Sequence, residues 1–317
     1  MFQTMRGCIS VIVICLVLAG MLAGCSDTQF EATKRMAEQG DAKAQYNLGV
    51  MYAESLGVAQ DYAEAVKWYR AAAEQGFAAA QNNLGVMYNE GLGVAKNEAE
   101  AIKWFQKAAY QGLANAQFSL GVSYHMGRGV AQNDAEAMKW FQVAAEQGYA
   151  DAQNGLGFMY AKGQGVAQDD AVAVEWFKKA AQQGNAYGQN SLGFMYGKGQ
   201  GIPQDFSEAV KWFRMAAEQG NADANYNLGE MYEMGQGVPQ NDDEAKAWYC
   251  KAIKQGVVEE LNGLAEQGDA EAQHNLGLIY GKGRCVPKDP AAALEWYQKA
   301  AAQGHEDAQK ELEALQK

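Results

Sequence analysis

The stretch Asp41–Gly76, DAKAQYNLGVMYAESLGVAQDYAEAVKWYRAAAEQG, decides the fold of this 317-residue chain, because close copies of it follow one another almost to the C-terminus. The Gln-Gly pair that closes it places glycine at 40, 76, 112, 148, 184, 220 and 256, a constant step of 36, and then at 268 and 304. Self-similarity at a fixed period marks a repeat architecture, in which each unit buries its apolar face against its neighbours instead of in one shared core. All seven tryptophans (Trp68, Trp104, Trp140, Trp176, Trp212, Trp248 and Trp296) hold one position of the unit and so count it independently. The last tryptophan step is 48 residues, longer than the others by the same 12 that separate Gly256 from Gly268. Seven full units therefore run 41–76, 77–112, 113–148, 149–184, 185–220, 221–256 and 269–304, with 257–268 inserted and 305–317 left over.

Within the first unit, Ala42, Gln45, Leu48, Gly49 and Tyr52 fall at helical spacing and predict a helix, A. Ser55–Val58 ends it, and most later units carry Gly-x-Gly-Val there, as in Gly91–Val94 and Gly235–Val238. Asp61-x-x-Glu64 then reads as a capping box: the Asp oxygen accepts from a free backbone N–H, and the Glu reaches back to the cap. It opens a second helix, B, and recurs as Asn97/Glu100, Asn133/Glu136, Asp205/Glu208 and Asn241/Glu244; the last unit has Asp289 followed by Pro290 instead. Ala65, Trp68, Tyr69 and Ala72 make the packed side of helix B. Every unit keeps the Leu-Gly pair, a tyrosine three residues on, and an aromatic after the tryptophan. These are packing positions: the glycine admits another helix despite its cost of about 1 kcal/mol in a helix interior, while Tyr and Trp fill the space between layers. Leu261–Tyr280 resembles Thr33–Tyr52, where the array begins, so a second start lies inside the chain. Val257–Gly268 is thus expected to be an extra or partial helix offsetting the last unit, the alternative being one lengthened helix running through Gly263.

Met1–Gly24 stands apart. Arg6, the apolar run Ile9–Leu18 and the small residues before Cys25 read as a secretory signal peptide, with an uncleaved membrane anchor as the competing reading. Leu22-Ala23-Gly24-Cys25 resembles the lipobox of bacterial lipoproteins, which implies cleavage before Cys25, acylation of Cys25, and a place in the cell envelope at the periplasmic face of the outer membrane. Ser26–Gln29 would then be a tether of at most ~14 Å if extended. Removing residues 1–24 takes away only Arg6 as a charge, leaving 25 basic against 38 acidic residues. So acidic a chain repels nucleic acid and anionic headgroups, and its membrane link is expected through the lipid. Of five cysteines, Cys250 and Cys285 remain in the body; they form a disulfide or stay as one buried and one loop thiol.

The pattern A-x-A-Q-x-x-L-G-x-M-Y, then G-x-G-V-x-Q-D, then E-A-x-K-W-[YF]-x-x-A-A-x-Q-G resembles the Sel-one-like repeat, a tetratricopeptide-like helix pair, over nearly all of residues 41–304. The resemblance implies an all-α fold, a right-handed α-solenoid of helix-turn-helix repeats of 36 residues whose concave face is formed mainly by helix A. The expected organisation is a signal peptide (1–24), lipidated cysteine and tether (25–29), N-terminal helix plus six units (30–256), insertion (257–268), seventh unit (269–304) and C-terminal capping helix (305–317). Members of that family are chiefly adaptors that assemble protein complexes; some cysteine-rich members are described as binding β-lactam or peptidoglycan-like ligands, the alternative function for this chain.

No catalytic set, cofactor motif or metal-ligand spacing is legible. His125, His274 and His305 fall in different units, no H-E-x-x-H occurs, and none of the serines Ser55, Ser119, Ser123, Ser191 and Ser207 sits in an S-x-x-K motif. The expected partner is therefore a protein or peptide segment held by residues that vary between copies of helix A. One row is Tyr46, Asn82, Phe118, Asn154, Asn190, Tyr226 and His274; the other is Val50, Val86, Val122, Phe158, Phe194, Glu230 and Leu278. Amides and aromatics in the first suit an extended peptide, and Phe158 and Phe194 are the expected anchors of the second, each contributing ~2 kcal/mol on burial. The competing reading of the Val/Phe row is core between helices.

Overall fold

A computed structural model describes residues 23–315, and all of its regular structure there is helical. The helices are α1 (Ala23–Glu38), α2 (Ala42–Glu54), α3 (Tyr62–Glu74), α4 (Ala78–Glu90), α5 (Glu98–Tyr110), α6 (Ala114–Met126), α7 (Asp134–Glu146), α8 (Ala150–Lys162), α9 (Asp170–Gln182), α10 (Ala186–Lys198), α11 (Phe206–Glu218), α12 (Ala222–Met234), α13 (Asp242–Lys254), α14 (Val257–Glu266), α15 (Ala270–Lys282), α16 (Pro290–Ala302) and α17 (Glu306–Leu315). The chain divides into two compact units, 1–107 and 108–317, the division falling within α5. The signal-peptide reading of residues 1–24 lies almost wholly outside the described residues, as does the side chain of Cys25. Ser26–Gln29, read as a tether, lies within α1, where these four residues span about 6 Å of helix. No helix of the described residues is long and apolar enough to cross a membrane.

In the first unit, α2 and α3 form the founding hairpin. Asp61 caps α3, its Oδ1 accepting from Ala63 N at 2.9 Å and Glu64 N at 3.0 Å. The second half of the expected capping box is replaced: the Asp61 N–H already donates to the Tyr52 carbonyl at 3.0 Å, so Glu64 turns instead to Lys67 Nζ and to Trp68 Nε1 at 3.2 Å. The recurring tyrosine thus has a backbone duty, pinning the end of the loop to helix A. The same bond recurs in the second unit from Asn133 to Tyr124, Asp205 to Tyr196 and Asp289 to Tyr280.

The Leu-Gly pair builds the core. Leu48 and Leu84 in the first unit and Leu120, Leu156, Leu192, Leu228 and Leu276 in the second are all but fully buried, each contributing roughly 2 kcal/mol. The glycine accommodates a ring of its own hairpin: a Cβ on Gly49 would lie 2.6 Å from the Tyr69 ring, and one on Gly193 would lie 2.8 Å from that of Phe213 and 3.1 Å from the Ala209 carbonyl. The aromatic after the tryptophan is therefore the core residue. The tryptophans lie further out, half-buried at all positions but Trp104, and lysines lie over the rings of Trp176 at 3.8 Å and Trp248 at 3.6 Å.

Buried glutamines connect the hairpins. In α8, Gln153 Nε2 donates to the Ala145 carbonyl at the end of α7 at 3.2 Å, and its Oε1 accepts from Gln183 at the end of α9 at 2.7 Å. Gln45, Gln117 and Gln273 hold equivalent positions, so one side chain ties helix A to the ends of both flanking helices. Such an amide satisfies backbone carbonyls that a helix end otherwise leaves open.

The insertion is a separate helix. α13 stops at Lys254, and Gly256 at φ 93° turns the chain into α14, which excludes one lengthened helix. The end of α14 behaves as a helix B: Gln273 reaches Ala265 at 2.9 Å as Gln45 reaches Ala37 at 3.1 Å.

Candidate functional site

The two rows expected on helix A have different fates. The first is largely interior. Asn82, Asn190, Tyr226 and His274 are buried, and the others are half-buried, so they pack the array more than they meet a ligand. Each ring in this row enters a slot between the helix B aromatic of its own hairpin and the first residue of the next unit. Tyr46 lies 5.9 Å from Tyr69 and 5.2 Å from Phe77; Phe118 lies 5.6 Å from Phe141 and 5.5 Å from Tyr149. The amides link neighbouring helices A: Asn154 Oδ1 accepts from Ser191 at 3.1 Å, and Asn190 Oδ1 from Asn227 at 2.9 Å. Their periodicity, legible as helical, did not reveal which side of the helix a neighbouring unit covers. His274 and His305, far apart in sequence, stack at 4.6 Å, and burial together with the adjacent ring of His305 holds the His274 imidazole below its ordinary pKa.

The second row changes along the array. Val122 and Leu278 are buried, as the competing core reading expects. Phe158 on α8 is half-buried, its ring edge-on to His125 at 6.5 Å, and His125 is held by Asp134 at 2.7 Å. Phe194 on α10 is 44% exposed, and Lys198 lies 5.7 Å from its ring. α8 and α10 touch, so the two phenylalanines stand on adjoining helices.

Glu230, expected in the groove, is the counter-charge of a buried group that the sequence did not single out. Arg284 is 4% exposed. Its guanidinium donates to Tyr226 Oη and Glu233 Oε2, lies 3.7 Å from Glu230 Oε1, and stacks 4.2 Å from the Tyr249 ring. Tyr249 Oη and Lys282 Nζ complete the ring of bonds to Glu233 at 2.6 and 2.8 Å. Burial raises the Glu230 carboxyl pKa; for Glu233 burial acts in the same direction but is outweighed by Lys282, Tyr249 and Arg284, which hold it below its ordinary value. Beside Arg284, Cys285 forms a disulfide with Cys250 of α13, with Cα atoms 5.0 Å apart. The legible signal was the pair itself, Arg-Cys after Gly283 where most other units carry x-Gly after the first glycine.

Paired helices of fixed length, stacked by a repeated Leu-Gly/aromatic core, define an all-α solenoid of the tetratricopeptide-like class. The Sel1 repeat matches residues 42–77, 78–113, 114–149, 150–185, 186–221, 222–257 and 270–305, each boundary one residue beyond the glycine count, and the chain belongs to the Sel1 repeat family. Among solved structures it is similar to c5321, a protective antigen present in uropathogenic Escherichia coli strains, with 40% identity over 90% of this chain and a TM-score of 0.63. This chain spans 59% of that protein's length. It is also similar to a Sel1 repeat protein from Oxalobacter formigenes, with 32% identity, a TM-score of 0.63, and coverage of 81% of this chain and 96% of that one. No curated protein matches the chain. Proteins of this repeat family generally mediate protein–protein interaction and are typically non-catalytic scaffolds.

Proposed function

We propose that this protein is a lipid-anchored scaffold of the bacterial envelope that holds a segment of a partner protein on the helix A face around Phe158 and Phe194. The observation that carries the reading is the ring of Phe194, 44% exposed on a helix adjoining that of Phe158. An apolar ring kept in water costs free energy that a partner's side chain recovers on docking, and aromatic anchors dominate interface energetics. The face narrows from the long concave row expected from sequence to this pair, because most of the first row is spent on packing. Anchoring through Cys25 is supported by the lipobox-like Leu22–Cys25 and by the acidic body, which lacks an electrostatic route to anionic lipid.

The test is capture of the partner by crosslinking from native envelopes. Replacing Phe158 and Phe194 by Ala is expected to abolish capture while far-UV circular dichroism is unchanged; undiminished capture refutes this face. Cys25→Ser is expected to release the protein from membranes, and its retention there rejects the lipid anchor.

A further inference from the structure

In the last unit the interlayer slot that holds Tyr46 and Phe77, or Phe118 and Tyr149, is filled by two imidazoles, His274 and His305. Glu271, one turn before His274 on α15, closes the group: its Oε2 lies 3.0 Å from His305 Nε2, and one donor atom from each of the three residues falls within 4.8 Å of the others. Stacking explains why flat rings occupy the slot. It leaves unexplained why His274 is 8% exposed with neither ring nitrogen hydrogen-bonded, since a buried polar atom without a partner is costly and a phenyl ring fills the slot equally well.

We propose that Glu271, His274 and His305 form a binding site for a divalent transition-metal ion of the zinc class. Two imidazoles and a carboxylate are the donor set such borderline ions prefer over the all-oxygen sets of magnesium and calcium. Metal–nitrogen bonds of about 2.0–2.1 Å place tetrahedral ligand atoms about 3.3 Å apart. The His305–Glu271 pair at 3.0 Å is already near that spacing, and the His274 donor lies within 4.8 Å of both. The proton count closes without a co-reactant. His305 Nδ1 accepts the Ala308 N–H at 3.3 Å, which leaves the ring proton on Nε2, donated to Glu271. A metal ion at Nε2 takes that place, the proton moves to Nδ1, the long bond from Ala308 is given up, and the freed Glu271 oxygen becomes a ligand. A fourth position stays open to water. The ion fastens α15 to the start of α17, which is also held by the packing of Ala308 and Leu312 beside Tyr297 and Ala300 and by the Gln309 side chain at the Ala301 carbonyl.

Cobalt(II) titration of the purified full-length chain tests this, because tetrahedral Co²⁺ absorbs visibly. The expected result is a d–d band that saturates at about one equivalent. His274→Tyr and His305→Phe restore the aromatic pair of other units and so keep the slot filled, while Glu271→Gln alters an exposed side chain. Each is expected to raise the Kd at least about tenfold, since even partners outside the ligand set change metal affinity by 10–100-fold. His125→Ala, remote from the cluster, is expected to leave the band intact. Absence of a band, or a band unchanged in all three cluster variants, overturns the site.

Discussion

The loop after α12 and the loop after α15 occupy the same place in their units and are held by opposite means. After α12, Gly237 at φ 70° lies so close to the start of α11 that a Cβ would come within 2.2 Å of the Phe206 carbonyl. Backbone rests on backbone, and no side chain is needed to position the loop. After α15 the preceding helix is the short α14, and the equivalent residue is Cys285, still left-handed at φ 59°. Its sulfur reaches Cys250, and Arg284 is buried where the other units place a half-buried or exposed loop residue. Regular stacking supplies its own positioning; once the step is broken, covalent and ionic crosslinks replace it.

The largest expected effect that sharpens this contrast comes from Arg284→Leu, which strands Glu233 and Glu230 in a buried site and is expected to cost about 3–5 kcal/mol in chemical denaturation. The counterpart change at Gln236, the half-buried residue at this position of the previous unit, is expected to be near neutral. Second comes the exchange of loop residues. Reducing the Cys250–Cys285 bond, which closes 35 residues, is expected to cost about 3–4 kcal/mol. In the reduced state Cys285→Gly then recovers about 1 kcal/mol, because the left-handed backbone no longer carries a Cβ. Gly237→Cys is expected to lose up to about 3 kcal/mol through overpacking. Equal tolerance at both loops in urea melts would show that the two are positioned by the same means.

The smallest effect is electrostatic. Glu233 has a depressed folded-state pKa, so its contribution is present above the ordinary value of 4.5 and is lost as pH falls through the folded value. Glu230, raised by burial, works in the opposite direction. The stability gap between wild type and Glu233→Gln is therefore expected to narrow from pH 7 towards pH 3, by under about 1 kcal/mol given partial exposure. A gap independent of pH would show that Glu233 acts by packing alone.

Much of the fold was open to reading because the repeat states it seven times over. Helix pairing and loop positions follow from spacing and glycine placement, while the inserted helix begins at Val257, four residues before the second start read at Leu261. The site was harder. Period alone locates one face of helix A but cannot say that Asn82 and Tyr226 are buried or that Asn227 of the next helix A bonds Asn190, because that depends on how neighbouring helices pack. The exposure of Phe194 depends on what surrounds the ring in three dimensions and is invisible to a rule that asks only whether a residue is apolar. Arg284 was missed since an arginine in a loop ordinarily faces water; only the simultaneous Gly-to-Cys change and the acidic pair on α12 distinguish it. His274 and His305 were set apart by their separation in sequence, although the slot they share recurs in other hairpins.

The glutamine links bear on how such a chain can change over generations. Each joins a helix A to an alanine eight residues back and to a glutamine thirty ahead, as Gln153 does with Ala145 and Gln183. A whole unit duplicated or lost between Tyr149 and Gly220 recreates every link at the new junction without a compensating substitution. From Tyr226 to Cys285 that freedom ends: Tyr226, Glu233, Cys250, Arg284 and Cys285 function only as a set and have to be inherited together. The array can vary in length ahead of α12, while its last hairpin travels as a single heritable block.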